Sequence, residues 1–296
     1  MNILSLFVLI PLLMLGALWA ARSLNQVRGV MVVGSTLLLA LSVYLTIDYL
    51  ALRQAGETAE MLYTASTVWY APLNICYSVG VDGISVAMLL LSSIIVFTGT
   101  FASWQLKPMT KEYFLWFTLL SAGVYGFFIS TDLFTMFMFY EVALIPMYLL
   151  IGVWGSGQKE YAAMKLTLML MGGSAFLLIG ILGIFYGAGG DTMNILEIAQ
   201  RHIPTEMQRL FFPLIFLGFG VLGALFPFHT WSPDGHASAP TAVSMLHAGV
   251  LMKLGGYGCF RVAMYLMPEG AEMWGDFFLV LTTISVVYGA FSAVVQ

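Results

Sequence analysis

Long apolar segments dominate this sequence of 296 residues. A helix that crosses the ~30 Å hydrocarbon core of a bilayer needs about 20 mostly apolar residues. Segments of that kind lie near 3–21, 30–50, 84–104, 113–130, 133–154, 161–186, 210–228, 241–266 and 277–295. The sequence therefore predicts an all-α, polytopic transmembrane helix bundle with about nine helices.

The composition agrees with a membrane location. Hydrophobic residues make up 60% of the chain and charged residues only 9%, against roughly 25% charged residues in soluble domains. The net charge of −4 is small and scattered, so no basic surface for nucleic acid is expected. The two cysteines, Cys76 and Cys259, have neither the spacing of a disulfide framework nor that of a metal site.

The loops predict the orientation and the chain's organisation. The loops after the first, third and fifth spans carry five of the basic residues, Arg22, Arg28, Lys107, Lys111 and Lys159. The positive-inside rule then places the N-terminus on the outer face of the membrane, and the connections 51–83 and 187–209 with it. The first span lacks a basic region before it and is expected to be a retained helix. Because no polar tail follows the last span, we expect a truncated or split chain.

Three ionisable residues fall inside the predicted spans: Glu141, Lys165 and Lys253. Insertion scales put a charged side chain at the centre of a membrane helix at about 2.5–3.5 kcal/mol. Such residues usually face a bundle interior or a wet cavity, which indicates ion or proton transport. Two structural alternatives remain open. Lys165 is near enough to its helix end to snorkel, and Glu141 with Lys253 could form a static buried pair.

The backbone near these residues favours a hydrated site over a sealed one. Pro146 lacks the N–H that would bond the carbonyl of Val142, which predicts a kink just past Glu141. Gly249 precedes Lys253, and the pair Gly255–Gly256 follows it. Small residues leave room for water or for the close approach of another helix.

The segment LFPFHTWSPDGHASAPTA, residues 225–242, predicts a break in the seventh span near Pro227. Irregular backbone at membrane depth is tolerated only where it is buried in protein or lines a cavity, and broken helices recur in ion-translocating proteins. A tight re-entrant turn with purely structural histidines is the alternative. The polar and proline residues of this segment are Pro227, His229, Pro233, Asp234, His236 and Pro240.

Three stretches together resemble the antiporter-like proton-pumping subunits of respiratory complex I, in particular the family of chain M, or subunit 4. They are DLFTMFMFYEVALIPMYLLIGVWG, YAAMKLTLMLMGGS and FPFHTWSPDGHASAPTAVSMLHAGVLMKLGGYGCFR. The resemblance covers about 110–266 with specific motifs. The combination of H-x-W-x-P-D-x-H-x-x-A-P with LMKLGGYG is more specific than either half.

The resemblance implies a fourteen-helix fold with two inverted five-helix repeats, each containing a broken helix. Residues 1–104 would hold helices one to three, residues 105–266 the first repeat, and residues 267–296 the start of the second. Other membrane subunits of the complex are the implied partners, besides lipids and protons. NADH, FMN, iron–sulfur clusters and quinone would bind those partner subunits, and no cofactor is expected in this chain.

The resemblance also assigns residues. Glu141 matches the family's essential glutamate of helix five, Lys165 a lysine of helix six, and Lys253 the helix-eight lysine that passes protons toward the middle of the membrane. One residue departs from the pattern: Leu222 stands where the family has a helix-seven lysine. His247, where many relatives have an apolar residue, and Lys165 are the candidate replacements.

The function expected from these residues is proton translocation driven by quinone reduction elsewhere in the complex. Glu141, Lys165, His247 and Lys253 would form the relay, and the residues expected to support it are His229, Asp234, His236, Pro227 and Pro146. Three alternatives stay open: a subunit of a multisubunit Na⁺/H⁺ antiporter or membrane-bound hydrogenase, a haem-binding electron carrier that uses the four histidines, and a structural scaffold.

Overall fold

The computed structural model describes residues 2–295. Its α-helices are α1 (Leu6–Ala20), α2 (Leu24–Gln54), α3 (Gly83–Ala102), α4 (Thr110–Ile129), α5 (Leu133–Trp154), α6 (Lys159–Gly187), α7 (Ile195–Ala199), α8 (Thr205–Leu222), α9 (Trp231–Ser238), α10 (Thr241–Leu246), α11 (Met252–Gly258) and α12 (Pro268–Val295). Two strands, β1 (Leu62–Tyr70) and β2 (Ile75–Val81), lie between α2 and α3.

The predicted helix bundle is confirmed. Within residues 2–295, eight helices are long and apolar enough to cross a membrane, namely α1 with the short 3₁₀ turn before it, α2, α3, α4, α5, α6, α8 and α12. The remaining predicted span, 241–266, is also helical, but its α-helical turns alternate with two π-helical segments, His247–Leu251 and Cys259–Met264. We call residues 241–266 the composite helix.

Burial is distributed unevenly between the spans. The membrane-spanning window of α4 is 78% buried, and residues such as Tyr113, Phe117 and Tyr125 are fully enclosed by neighbouring helices. The corresponding window of α12 is only 6% buried. The core therefore lies around α4, whereas α12 lies at the rim of this part of the bundle.

The connection 51–83 contains a feature that the sequence analysis did not predict, an antiparallel β-hairpin formed by β1 and β2. Backbone hydrogen bonds extend this hairpin into the two neighbouring connections. Thr131 N donates to Ser78 O at 2.9 Å, Ile195 N to Thr131 O at 2.8 Å, and Leu133 N to Met193 O at 2.9 Å. We call the hairpin together with 130–132 and 192–194 the strand layer. It places the connections 51–83 and 187–209 at one end of the bundle, as predicted.

The strand layer also fixes the start of α5. The carboxylate of Asp132 accepts the N–H of Thr135 at 2.9 Å and caps this helix. Its second oxygen accepts the N–H of Cys76 in β2 at 3.1 Å. Pro146 lies inside α5, which continues to Trp154, so the proline does not end the helix that carries Glu141.

The seventh span is discontinuous, as predicted. Helix α8 ends at Leu222, residues 223–230 form turns that include Pro227, and α9 begins at Trp231. A second break separates α9 from α10 at Pro240, which has no backbone N–H to continue the helix. The two breaks turn the short helix α9 so that it packs against α6.

Candidate functional site

Four polar residues on α6, α9 and the composite helix form two pairs, and α9 supplies one member of each. The amine of Lys165 lies 2.6 Å from an oxygen of Asp234, and the two side chains are 24% and 41% exposed. His236 follows Asp234 by two residues on α9, and its ring stacks on that of His247 with centroids 4.4 Å apart. We call Lys165, Asp234, His236 and His247 the inner cluster.

His247 is the most enclosed member of this cluster. Its side chain is fully buried, and its ring lies between His236 and the indole of Trp231, whose centroid is 5.1 Å away. Neither ring nitrogen has a hydrogen-bond partner among the described residues, whereas Nδ1 of His236 lies 3.1 Å from the hydroxyl of Ser244. Burying a polar group without a hydrogen bond is costly, so this imidazole is available for a proton or a water molecule.

Trp231 links this histidine to the broken helix. Its indole N–H donates to the carbonyl of Val221 at 3.0 Å, one of the carbonyls that lose their helical partner when α8 ends. Leu222, at the position of the family's missing lysine, is fully buried as the last residue of α8. Apolar and aromatic side chains thus surround the end of α8 at the break.

Glu141 lies apart from the inner cluster, at the edge of the bundle surface. It is half-buried, and its neighbours on the same face of α5, Met138 and Ile145, are 42% and 58% exposed. Its buried Oε1 has no hydrogen-bond partner in the described part of the chain. The hydroxyl of Ser174 on α6 lies beside the carboxylate, although it donates to the carbonyl of Met171 at 3.0 Å.

Lys253 is exposed on the composite helix, and its amine donates to the carbonyl of Ala248. Within residues 2–295 the side chain of Lys253 thus points away from α8. The cause is the close packing of Gly255, where an added Cβ would lie 2.5 Å from the carbonyl oxygen of Phe219. This contact turns the glycine toward α8 and the lysine away from it.

The predicted alternatives for the charged residues have different outcomes. The ion pairs found within residues 2–295 include neither Glu141 nor Lys253, so these two residues do not form a static buried pair. Lys165 bonds to Asp234 and not to Glu141. The sequence did not reveal this pairing, because it depends on how α9 turns after the break.

His229 lies in the break and contacts α12. Its ring centroid is 4.9 Å from that of Tyr288, and the N–H of Phe226 donates to the hydroxyl of Ser285 at 2.8 Å. Three other sequence-predicted supporting residues lie near the break. Pro227 is in the same turn segment, and Asp234 and His236 belong to the inner cluster. The break is therefore connected to α12 as well as to α8.

The haem hypothesis requires histidines that bind an iron from opposite sides of a porphyrin. The rings of His236 and His247 are stacked instead, with an interplanar angle of 27° and centroids 4.4 Å apart, which leaves no space for a porphyrin between them. His202 is exposed in the connection 187–209. No group of three or more His, Cys, Asp or Glu side chains in the described residues has the arrangement of a metal site.

Sequence reasoning missed three residues that shape this site: Trp231, Ser174 and Ser244. Trp231 stands inside the H-x-W pattern, which was the available signal for its proximity to the histidines. Ser244 lies three residues before His247 on a helix, a spacing that places both on one face. Nothing in the local sequence distinguishes Ser174 from the other small residues of α6.

Comparisons with known proteins place these features in context. Residues 130–296 match the family described as "NADH:quinone oxidoreductase/Mrp antiporter, TM". The chain is 37% identical over 238 residues to an NAD(P)H-quinone oxidoreductase chain 4 of Picosynechococcus sp., covering 80% of this chain and 43% of the relative. It is 34% identical over 228 residues to a chain 4 of Synechocystis sp., covering 77% of this chain and 41% of the relative. This chain thus spans less than half the length of the curated relatives that it matches.

Solved structures show the same fold. A chain of respiratory complex I from Thermus thermophilus matches with a TM-score of 0.87 and 24% identity, over 99% of this chain and 59% of that chain. A chain of the archaeal membrane-bound sulfane sulfur reductase matches with a TM-score of 0.84 and 22% identity, over 99% and 60%. A chain of the Mrp complex from Dietzia sp. matches with a TM-score of 0.70 and 23% identity, over 90% and 49%.

Proposed function

Because this chain belongs to the family of NADH:quinone oxidoreductase and Mrp antiporter membrane subunits, we propose that it translocates protons as a subunit of an NADH:quinone oxidoreductase complex. The inner cluster is the observation that carries the proposal. An ion pair, a stacked histidine pair and a helix broken at membrane depth occur together there. Such residues inside membrane proteins are costly and mark proton or ion pathways.

The proposed route begins at Lys165 and Asp234, the most accessible members of the inner cluster. Glu141 belongs to the same relay: protons pass, through water, among Glu141, the Lys165–Asp234 pair, the stacked rings of His236 and His247, and Lys253. Moving one member of an ion pair changes the proton affinity of the other. Separation of Lys165 from Asp234 would therefore load or release a proton at this entrance.

His247 takes the place of the helix-seven lysine in this scheme. It is fully buried, its ring nitrogens have no partner among the described residues, and it contacts the indole that bonds to Val221, next to Leu222. A neutral imidazole has one ring nitrogen that accepts a hydrogen bond and one that donates, so it can take up a proton on one side and release one on the other. It can therefore carry a proton beside the break in the absence of a lysine amine.

The energy comes from partner subunits in this proposal. Each proton moved against a potential of 100 mV requires about 2.3 kcal/mol, and nothing in the inner cluster supplies it. Quinone reduction by NADH, through FMN and iron–sulfur clusters in those subunits, would drive the transport. The chain would lie in the cell inner membrane beside other antiporter-like subunits, with its N-terminus outside.

Two measurements test the proposal. Purification of the assembly from native membranes should yield NADH:quinone oxidoreductase subunits with this chain. In vesicles that contain the assembly, Lys253→Ala should abolish NADH-driven proton transport, whereas the control Lys159→Ala should not, because Lys159 only donates to the carbonyl of Val153 at 2.8 Å. Unimpaired transport in Lys253→Ala would remove Lys253 from the relay and contradict the proposed route.

A sodium/proton antiporter subunit is the second candidate, and the match to the Mrp complex fold favours it. The two functions differ in their coupling. An antiporter subunit would exchange protons for Na⁺ without NADH, and it would co-purify with other antiporter chains. Sodium-dependent proton release from vesicles that receive no NADH would support this candidate over the first.

A further inference from the structure

Arg261 lies near the opposite end of the composite helix from the inner cluster, in a polar group that the proposed relay does not use. Its side chain is 11% exposed and contacts two carboxylates. Nη1 lies 2.6 Å from an oxygen of Glu60, and Nη2 lies 3.0 Å from an oxygen of Asp82. The hydroxyl of Tyr265 donates to the other oxygen of Glu60 at 2.6 Å.

Asp82 connects this group to α3. Its second oxygen accepts the N–H of Ser85 at 2.7 Å and caps the N-terminus of that helix. One carboxylate therefore binds the start of α3 to the composite helix. A guanidinium group holds two such acceptors in a fixed geometry, which a lysine amine cannot do.

Helix α3 then packs along the composite helix as far as its other end. An added Cβ on Gly249 would lie 2.4 Å from Cδ1 of Ile95, and one on Gly99 would lie 3.3 Å from the Cβ of Ala242. Lys253 lies between these contacts and Arg261. The ion pairs and the packing thus fix the composite helix against α3 at both ends.

The part that carries Lys253 has little rigidity of its own. It lies between the two π-helical segments and contains three glycines, Gly255, Gly256 and Gly258. Glycine has a low helix propensity, and π-helical turns are rare and occur often at functional sites. The position of Lys253 along the helix axis therefore depends on external contacts.

We propose that Arg261, through Asp82 and Glu60, is a positioning residue that sets the place of the Lys253 amine. This inference rests on the proposed role of Lys253 in proton transfer. Arg261 does not exchange protons itself. It holds the composite helix in one register against α3, so that the amine of Lys253 returns to the same position in each cycle of proton transport.

The test measures the position of the amine separately from transport. The assembled complex is treated with a membrane-permeant amine reagent, and modification of Lys253 is followed by mass spectrometry relative to the exposed Lys107. The variants are Arg261→Lys, Asp82→Asn and Glu60→Gln. Asparagine still caps a helix well, so Asp82→Asn removes the charge pair while the start of α3 keeps its cap.

Arg201→Lys is the matched control. Arg201 also binds a carboxylate with both terminal nitrogens, that of Asp191 at the same end of the molecule, but it does not touch the composite helix. Arg261→Lys and Asp82→Asn should raise the modification rate of Lys253 by about threefold or more. Each change removes one member of a coupled charge network and so releases the composite helix from its fixed position against α3. Arg201→Lys should leave the rate unchanged.

An unchanged rate in all three variants would overturn the inference, and so would loss of assembly in all three, which would make the group purely structural. The result is separable from the proposed function, because chemical modification does not require proton transport. If the rate rises while Lys253→Ala still transports protons, the positioning role stands and the relay role of Lys253 fails.

Discussion

The inner cluster differs from the isolated charges Glu141 and Lys253 in how its charged and polar side chains are stabilised. In the inner cluster, Lys165 has Asp234 and His236 has Ser244, all within one chain. Glu141 and Lys253 bond to no opposite charge in residues 2–295, and both lie at or near the surface of the bundle. An unpaired charge in lipid is costly, so the absence of an ion pair within residues 2–295 distinguishes these two residues from Lys165.

The largest expected effect lies at Glu141. Glu141→Ala should abolish proton transport while the complex still assembles, because the buried Oε1 of this half-buried side chain has no hydrogen-bond partner within residues 2–295. The measurement is the proton-to-electron ratio of vesicles during NADH oxidation. Glu160→Ala, in the first turn of α6, is the control. A normal ratio in Glu141→Ala would remove this residue from the relay.

His247→Leu should lower the transport rate by about tenfold or more, since a positioned proton-transfer group contributes at least that much. Leucine fills similar space, so assembly should persist. The exposed His202→Leu is the control. Adding Leu222→Lys to His247→Leu places an amine at the break and should restore part of the rate. Full transport by His247→Leu alone would show that the inner cluster works without this imidazole.

Lys165→Ala and Asp234→Asn should each lower the transport rate. The loss in the double variant, expressed as a free energy, should be smaller than the sum of the losses in the two single variants. Both side chains are partly exposed, so the coupling free energy of the pair should be only about 1 kcal/mol or less. The measurement is a double-mutant cycle on the transport rate. Strictly additive effects would mean that the ion pair plays no part in transport, which would weaken the contrast with the isolated charges.

The smallest effect on stability is expected in the connection 187–209, where exposure to solvent weakens the ion pair of Arg201 with Asp191. The guanidinium of Arg201 lowers the pKa of Asp191 below its ordinary value of 3.8. A lowered pKa contributes stability above the ordinary value, and this contribution disappears as the pH falls through the folded-state pKa. Asp191→Asn should therefore lower the unfolding midpoint of the purified complex slightly at about pH 7 and less at about pH 3. An equal difference at both pH values would contradict this assignment.

Hydropathy alone was enough to predict the helical spans, and the prolines predicted the broken seventh span. Both signals are local, because a span needs length and a break needs a missing N–H. The resemblance to complex I subunits placed Glu141, Lys165 and Lys253 on three separate helices, as the structure does.

The partners of these residues could not be predicted in the same way. The pairing of Lys165 with Asp234 depends on the turn of α9, and the exposure of Lys253 depends on the packing of Gly255 against α8. The π-helical segments and the β-hairpin also escaped prediction. In each case the outcome depends on contacts between elements distant in sequence, which periodicity does not report.

The strand layer has a consequence for how this protein can vary. The three segments of the layer are joined by main-chain N–H and C=O groups, and every amino acid except proline supplies both. Substitutions on the exposed face of β1 should thus leave this end of the bundle closed. The inner cluster should tolerate few substitutions, because its ion pair and hydrogen bond are made by particular side chains. Random mutagenesis should find most neutral changes in the strand layer and most inactivating ones around α9.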